Sequence, residues 1–140
     1  MTSTETHVRT LIERYFEEVW NRGRLEVLDE LLADDYVNHS SSLPGSPPGP
    51  AGVKPIVAAM RQAFPDLHYT IEHVVIGRDA VAVRTTMTGT HEGDFFGIPA
   101  TGRRVAVTQM TLEQLRDGKI VAHWRNTDEL GLMRQLGVVG

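Results

Sequence analysis

The 140-residue sequence contains no cysteine, which excludes a disulfide scaffold, a thiol nucleophile and thiolate-held zinc or iron–sulfur centres. It fits a reducing compartment. No apolar run approaches the ~20 residues of a membrane span, and residues 1–7 lack the basic and apolar regions of a signal peptide. A soluble, cytoplasmic protein with no membrane partner is expected. Basic residues are few and scattered: 14 Lys and Arg stand against 18 Asp and Glu for a net charge of −4. The longest basic run is Arg103 and Arg104, which argues against a nucleic-acid partner. No histidine pair has metal-ligand spacing on a helix, and no acidic calcium loop occurs, so no metal is expected. The glycines between 89 and 102 do not join a strand to a helix N-terminus and so form no phosphate cradle.

What remains is an ordinary globular composition, 41% hydrophobic and 23% charged, long enough for one domain over residues 1–140. From residue 8 to residue 20, Val8, Leu11, Ile12, Tyr15, Phe16, Val19 and Trp20 recur at the steps of one helical face. Asn21 and Gly23 end that helix. Leu25, Leu28, Leu31 and Leu32 predict a second, short one, broken by Asp34 and Asp35 before a brief extended piece at 36–39. Residues 40–52 hold four of the seven prolines and read as a loop, either the rim of a cavity or a surface excursion. A third helix is expected at 53–64, stopped by Pro65.

The period then changes from 3.6 to 2. Strands are expected at 69–76, 80–90, 105–115 and 120–125, with Gly-containing turns at 77–79 and 116–119 and a longer Gly-rich connection at 92–104. Residues 128–136 predict a short helix with Asp128 as its cap and Gly137 just beyond its end. Helices followed by antiparallel strands imply an α+β fold: three N-terminal helices on a curved, mainly antiparallel sheet, with a short C-terminal helix. Closed around so short a chain, the sheet becomes a cone-like α+β barrel whose mouth suits a small molecule.

Several segments, in order along nearly the whole chain, carry a family resemblance. They are Trp20-Asn21, Asp35-Tyr36-Val37-Asn38-His39, Phe64-Pro65-Asp66, Gly89-Thr90-His91, Gly97-Ile98-Pro99, Thr101-Gly102-Arg103, Asp117-Gly118-Lys119-Ile120, His123-Trp124 with Asp128, and Gln135-Leu136-Gly137. The chain resembles the SnoaL-like polyketide and ester cyclases, within the cone-shaped superfamily that includes ketosteroid isomerases. That resemblance implies a cofactor-independent enzyme that uses a carboxylate to remove a proton beside a carbonyl and closes a ring by aldol condensation. It also implies assembly into a homo-oligomer, a dimer or tetramer. The superfamily hosts other chemistries, so a hydroxylase, a dehydratase and a non-catalytic binding domain stand as alternatives.

The candidate site residues follow from alternation and from the resemblance together. His123 and Arg125 share one face of the last strand. His123 matches a family histidine, while Arg125 falls where the cyclases carry their aspartate. Arginine keeps its proton and cannot serve as a general base, but it can hold a carboxylate, a phosphate or a developing enolate oxygen. Asp128 is the nearest replacement carboxylate; it reads either as a helix cap or as an acid/base group. On the preceding strand Val105, Val107, Gln109, Thr111 and Glu113 share a face, either a cavity wall or the solvent side. Gln109 matches a substrate-binding glutamine and Thr111 replaces a histidine. Asn38 matches a substrate-binding asparagine, with His39 pointing the other way. His91 ends an otherwise apolar face, as a structural or a substrate-binding residue. His123, Asp128 and Arg125 are thus the catalytic candidates, and Asn38, Gln109, Thr111 and His91 the substrate-binding ones.

Overall fold

The computed structural model describes residues 3–139. Helix α1 (Ser3–Arg14) runs on as a π-helical stretch, Tyr15–Asn21. The wider turn keeps Tyr15, Phe16, Val19 and Trp20 all facing inward, and all four are buried. Gly23, at φ 72°, turns the chain away. After a 3-10 turn at Leu25–Val27, helix α2 (Leu28–Leu31) passes directly into strand β1 (Leu32–Asn38).

Two local expectations are corrected here. Leu32 belongs to β1, and Asp34 and Asp35 lie within that strand instead of breaking the chain's pattern. The pairing of β1 with its neighbour shifts between Leu32 and Val37. Such an irregularity lets two consecutive acidic residues both face solvent. Helix α3 (Pro50–Ala63) likewise begins earlier than residue 53. Proline fits a first helical position because the N–H it lacks would be unpaired there. Gly52 is required in that turn, since a Cβ would collide with the Pro47 carbonyl oxygen.

Strands β2 (His68–Ile76), β3 (Ala80–Thr90), β4 (Arg104–Arg116) and β5 (Lys119–Thr127) form an antiparallel run. The five-stranded sheet has the order β1-β5-β4-β3-β2, with β1 parallel to β5 at one edge. Helix α4 (Glu129–Leu136) follows β5, with Asp128 capping its start and Gly137, at φ 78°, closing its end.

The sheet curves over the helices, and its inner face is the core side. Along β4 burial alternates residue by residue, so Val105, Val107, Gln109, Thr111 and Glu113 all point inward. This is the cavity-side alternative for that face. The rings of Phe16 and Trp20 meet Tyr69 at the start of β2, with centroids 5.3 and 5.2 Å apart. On the outer face Trp124 stacks on His39 at 4.6 Å, beside exposed Met110 and Leu112. No helix among the described residues is long and apolar enough to cross a membrane.

Candidate functional site

Between the helices and the inner face of the sheet lies a cavity of about 330 Å³. Trp20, Ile56, Met60, Met87, Val107 and Leu132 form its apolar walls, and Phe95 and Phe96 reach it from the connection after β3. Tyr69, Gln109, Arg125 and Thr127 supply polar groups from β2, β4 and β5, with Ser42 and Glu129 exposed at the rim. Another depression, of about 380 Å³, sits at the far end between α1 and the β4–β5 turn, beside His7, Asp79 and Asp117. It is more open and holds none of the inward polar residues of β4 and β5, so the enclosed cavity is the candidate site.

The polar groups form three tiers across β4 and β5. Gln109 lies opposite Thr127, Thr111 opposite Arg125, and Glu113 opposite His123. In the first tier the Thr127 hydroxyl donates to Gln109 Oε1 at 3.2 Å. The Gln109 side chain also interacts with the Tyr69 hydroxyl, and both residues line the cavity. Burial pushes the Tyr69 phenol up to about 12, against the opposing pull of Arg125 and Gln109. Tyr69 therefore keeps its proton at neutral pH and can donate it to an oxygen in the cavity.

In the second tier Arg125 is half-buried. Its backbone N–H donates to Ser40 Oγ at 2.8 Å, and its Nη2 donates to the Ser40 carbonyl at 3.1 Å and to Ser42 Oγ at 3.3 Å. Among the described residues its Nε and Nη1 have no hydrogen-bond partner and no carboxylate pairs with it. Opposite it, the Thr111 hydroxyl is buried without a partner.

The third tier is the deepest. His123 Nδ1 lies 2.6 and 2.9 Å from the two carboxylate oxygens of Glu113, with both residues almost wholly buried. A carboxylate accepts, so Nδ1 donates, and the tautomer with its proton there carries the electron pair on Nε2. Burial, reinforced by the Glu113 charge, raises the Tyr15 hydroxyl above the usual phenol range. Burial, with Tyr15 and Glu113 adding to it, does the same for Tyr36. Both stay neutral beside the pair.

The expected site residues thus separate. Gln109 and Arg125 line the cavity. His123 and Thr111 share the same inward face but lie outside its lining, His123 one inward position beyond Arg125. His91 is fully buried behind Phe95, its Nδ1 accepting from the Thr101 backbone N–H at 3.2 Å and lying 3.0 Å from the Thr101 hydroxyl. Asn38 lines a separate recess of about 150 Å³, and its Oδ1 accepts from the Ser40 N–H at 2.9 Å. Asp128 is exposed, and its Oδ1 accepts from the Gly131 N–H at 3.0 Å as a helix cap. His7, His68 and His73 are exposed.

Sequence reasoning does not single out Glu113, Tyr69 or Ser42. Glu113 carries a signal, being an acidic residue on the same face as Gln109 and Thr111. Tyr69 and Ser42 carry none, because their positions depend on segments distant in the chain. Among the described residues no three His, Cys, Asp or Glu gather as a metal site.

Residues 10–136 match the family profile described as SnoaL-like polyketide cyclase. The chain is similar to the aklanonic acid methyl ester cyclase DauD of Streptomyces sp. (strain C5), with 32% identity over 134 residues, 93% of this chain and 79% of that protein. It is also 32% identical over 120 residues to the nogalonic acid methyl ester cyclase of Streptomyces nogalater, covering 84% and 89% of the two chains. Among solved structures TsrD from Streptomyces laurentii superposes with a TM-score of 0.88 at 30% identity, covering 96% of this chain and 97% of that one.

Proposed function

Because the chain belongs to the SnoaL-like polyketide cyclase family, we propose that its cavity binds a flat, largely apolar carbonyl compound of polyketide type and moves a proton beside a carbonyl. The carrying observation is an apolar cavity whose sheet wall is polar, with Tyr69, Gln109, Arg125 and Thr127 converging there. The ring system lies between the Met60 and Val107 walls. Tyr69, braced by Gln109, donates a hydrogen bond to the carbonyl oxygen and strengthens it as charge develops. Arg125 adds the positive charge of the site, and the role of the cyclase aspartate passes to His123.

His123, one inward position beyond the cavity lining, takes the proton on Nε2 through a bridging water while Glu113 stabilises the imidazolium from Nδ1. The enolate carbon attacks a second carbonyl of the same molecule, and the proton on His123 passes to the alkoxide so formed. Nothing is lost or gained, and the product is an isomer of the substrate. The reading requires no cofactor. The named relatives act on methyl esters of polyketide acids, which supports this compound class. Exposed Met110, Leu112 and Trp124 on the outer sheet face support a homo-oligomer.

The test is turnover of a dicarbonyl polyketide of this type, supplied both as the free acid (aklanonic acid) and as its methyl ester, followed by mass spectrometry and oxygen uptake. A product of unchanged mass and no oxygen consumption are expected. His123→Gln lowers kcat by about 10²–10⁴-fold, whereas Glu129→Gln at the rim leaves it near wild type. Full turnover by His123→Gln overturns the assignment, and oxygen uptake coupled to product replaces condensation with hydroxylation.

A further inference from the structure

We infer that Arg125 anchors a free carboxylate, so that the compound held in the cavity is an acid and not its ester. The inference rests on the cavity being the substrate site. A half-buried guanidinium beside apolar walls is unfavourable without an anion, because charges taken out of water need pairing. Arg14, Arg22, Arg24, Arg104 and Arg116 each meet a carboxylate of the protein. Arg61, also partly buried, spends Nη1 on the backbone carbonyls of Trp20 and Asn21 at 2.6 and 3.0 Å.

Arg125 differs. Its side-chain partners are the neutral Ser40 carbonyl and Ser42 hydroxyl, both taken by Nη2. Two carboxylates lie in the same region and neither pairs with it. Glu113 is committed to His123, and Glu129 stands exposed at the rim with no ion-pair contact among the described residues. Three donors of the guanidinium, on Nε and Nη1, therefore remain for a ligand.

The groups around Arg125 complete an acceptor-binding edge. Ser42 Oγ accepts from Nη2, so its own hydroxyl proton is free to donate to the same anion. The Ser40 contacts to both the backbone and the side chain of Arg125 hold the fork in place. A planar guanidinium edge with one adjacent hydroxyl matches a planar, singly charged carboxylate. Among the described residues a doubly charged phosphate would find only this one cation on the cavity wall. The acid group then sits at Arg125 and Ser42, leaving Tyr69 and Gln109 for the carbonyl.

The experiment measures binding of anthraquinone-2-carboxylate and its methyl ester by quenching of tryptophan fluorescence, since Trp20 lines the cavity. The wild type is expected to bind the acid about 10- to 100-fold more tightly than the ester, as for a hydrogen-bonded charge against a neutral isostere. Arg125→Gln loses that preference while its ester affinity stays within about threefold, which also shows that the variant is folded. Equal binding of acid and ester by the wild type overturns the inference, as does an acid preference surviving in Arg125→Gln. Met60→Trp and Val107→Phe narrow the cavity from opposite walls and distinguish the two levels of failure. If acid and ester bind equally and both variants abolish binding, the anchor alone is wrong. If binding survives both, or if neither compound binds the wild type, the cavity reading falls and the anchor with it.

Discussion

The buried pair of Glu113 and His123 offers the sharpest test of how the interior is built. Both side chains are almost wholly removed from solvent, at 2% and 5% exposure, and their contact is short at 2.6 Å. A hydrogen bond to an ionised group contributes about 1.5–3 kcal/mol to stability. Removing one partner costs more, toward 3–5 kcal/mol, because the survivor is left buried without a mate. Glu113→Ala and His123→Ala are each expected to destabilise the protein by about 3 kcal/mol. For a chain near this length that is a fall in Tm of about 10 °C, at roughly 3–4 °C per kcal/mol.

The double variant is the informative one. Once either partner is gone, removing the other deletes an orphan, so the double change costs less than the sum by about 1.5–3 kcal/mol. Urea unfolding of the wild type, the two single variants and the double at pH 7 gives this coupling directly. Glu113→Gln retains the shape and one acceptor oxygen, and falls between wild type and Glu113→Ala. Additivity within about 0.5 kcal/mol would refute the pairing, as would a Glu113→Ala cost below about 1 kcal/mol.

Two further outcomes separate structural carboxylates from functional ones. Asp128→Ala removes the cap of α4 and costs about 1 kcal/mol with kcat unchanged; reduced turnover in a folded Asp128→Ala would return this residue to the chemistry. Asp66 holds the end of β3 by accepting from the Thr90 N–H at 2.6 Å and the Thr90 hydroxyl at 2.8 Å, and these bonds lower its pKa from 3.8. A depressed carboxylate pKa stabilises the fold fully above the unfolded value, and the benefit is lost as pH falls through the folded one. The Tm gap between wild type and Asp66→Asn is therefore expected to close as pH drops from about 6 toward about 2.5; a constant gap contradicts the role.

What could be read from the sequence is what a single segment reports about itself. The stripe from Val8 to Trp20 marks a buried helical face, and alternation from Val105 to Glu113 marks one side of a strand, because periodicity records burial. Periodicity alone leaves open whether the polar half of that strand faces a cavity or water. It also finds only the end of β1, because the register shift hides the alternation at Asp34 and Asp35. Pairing lies beyond it as well. Glu113 meets His123 only because the β4–β5 register places them opposite, across a bulge between Gln114 and Leu115, and a slip of one residue would send the whole set to the other face.

Arg125 shows the same dependence at longer range. Strand β1 runs parallel to β5 at the sheet edge, with Asn38 paired to His123 and the His39 N–H donating to the His123 carbonyl at 2.8 Å. The chain leaving β1 must therefore cross β5 beside Arg125, which is how Ser40 and Ser42 come to hold a guanidinium 83 to 85 positions away. A loop rich in proline and serine reads alike as rim or surface until that edge pairing is known. Here the parallel edge makes it a rim. It also turns Arg125 into a positioned cation with donors to spare.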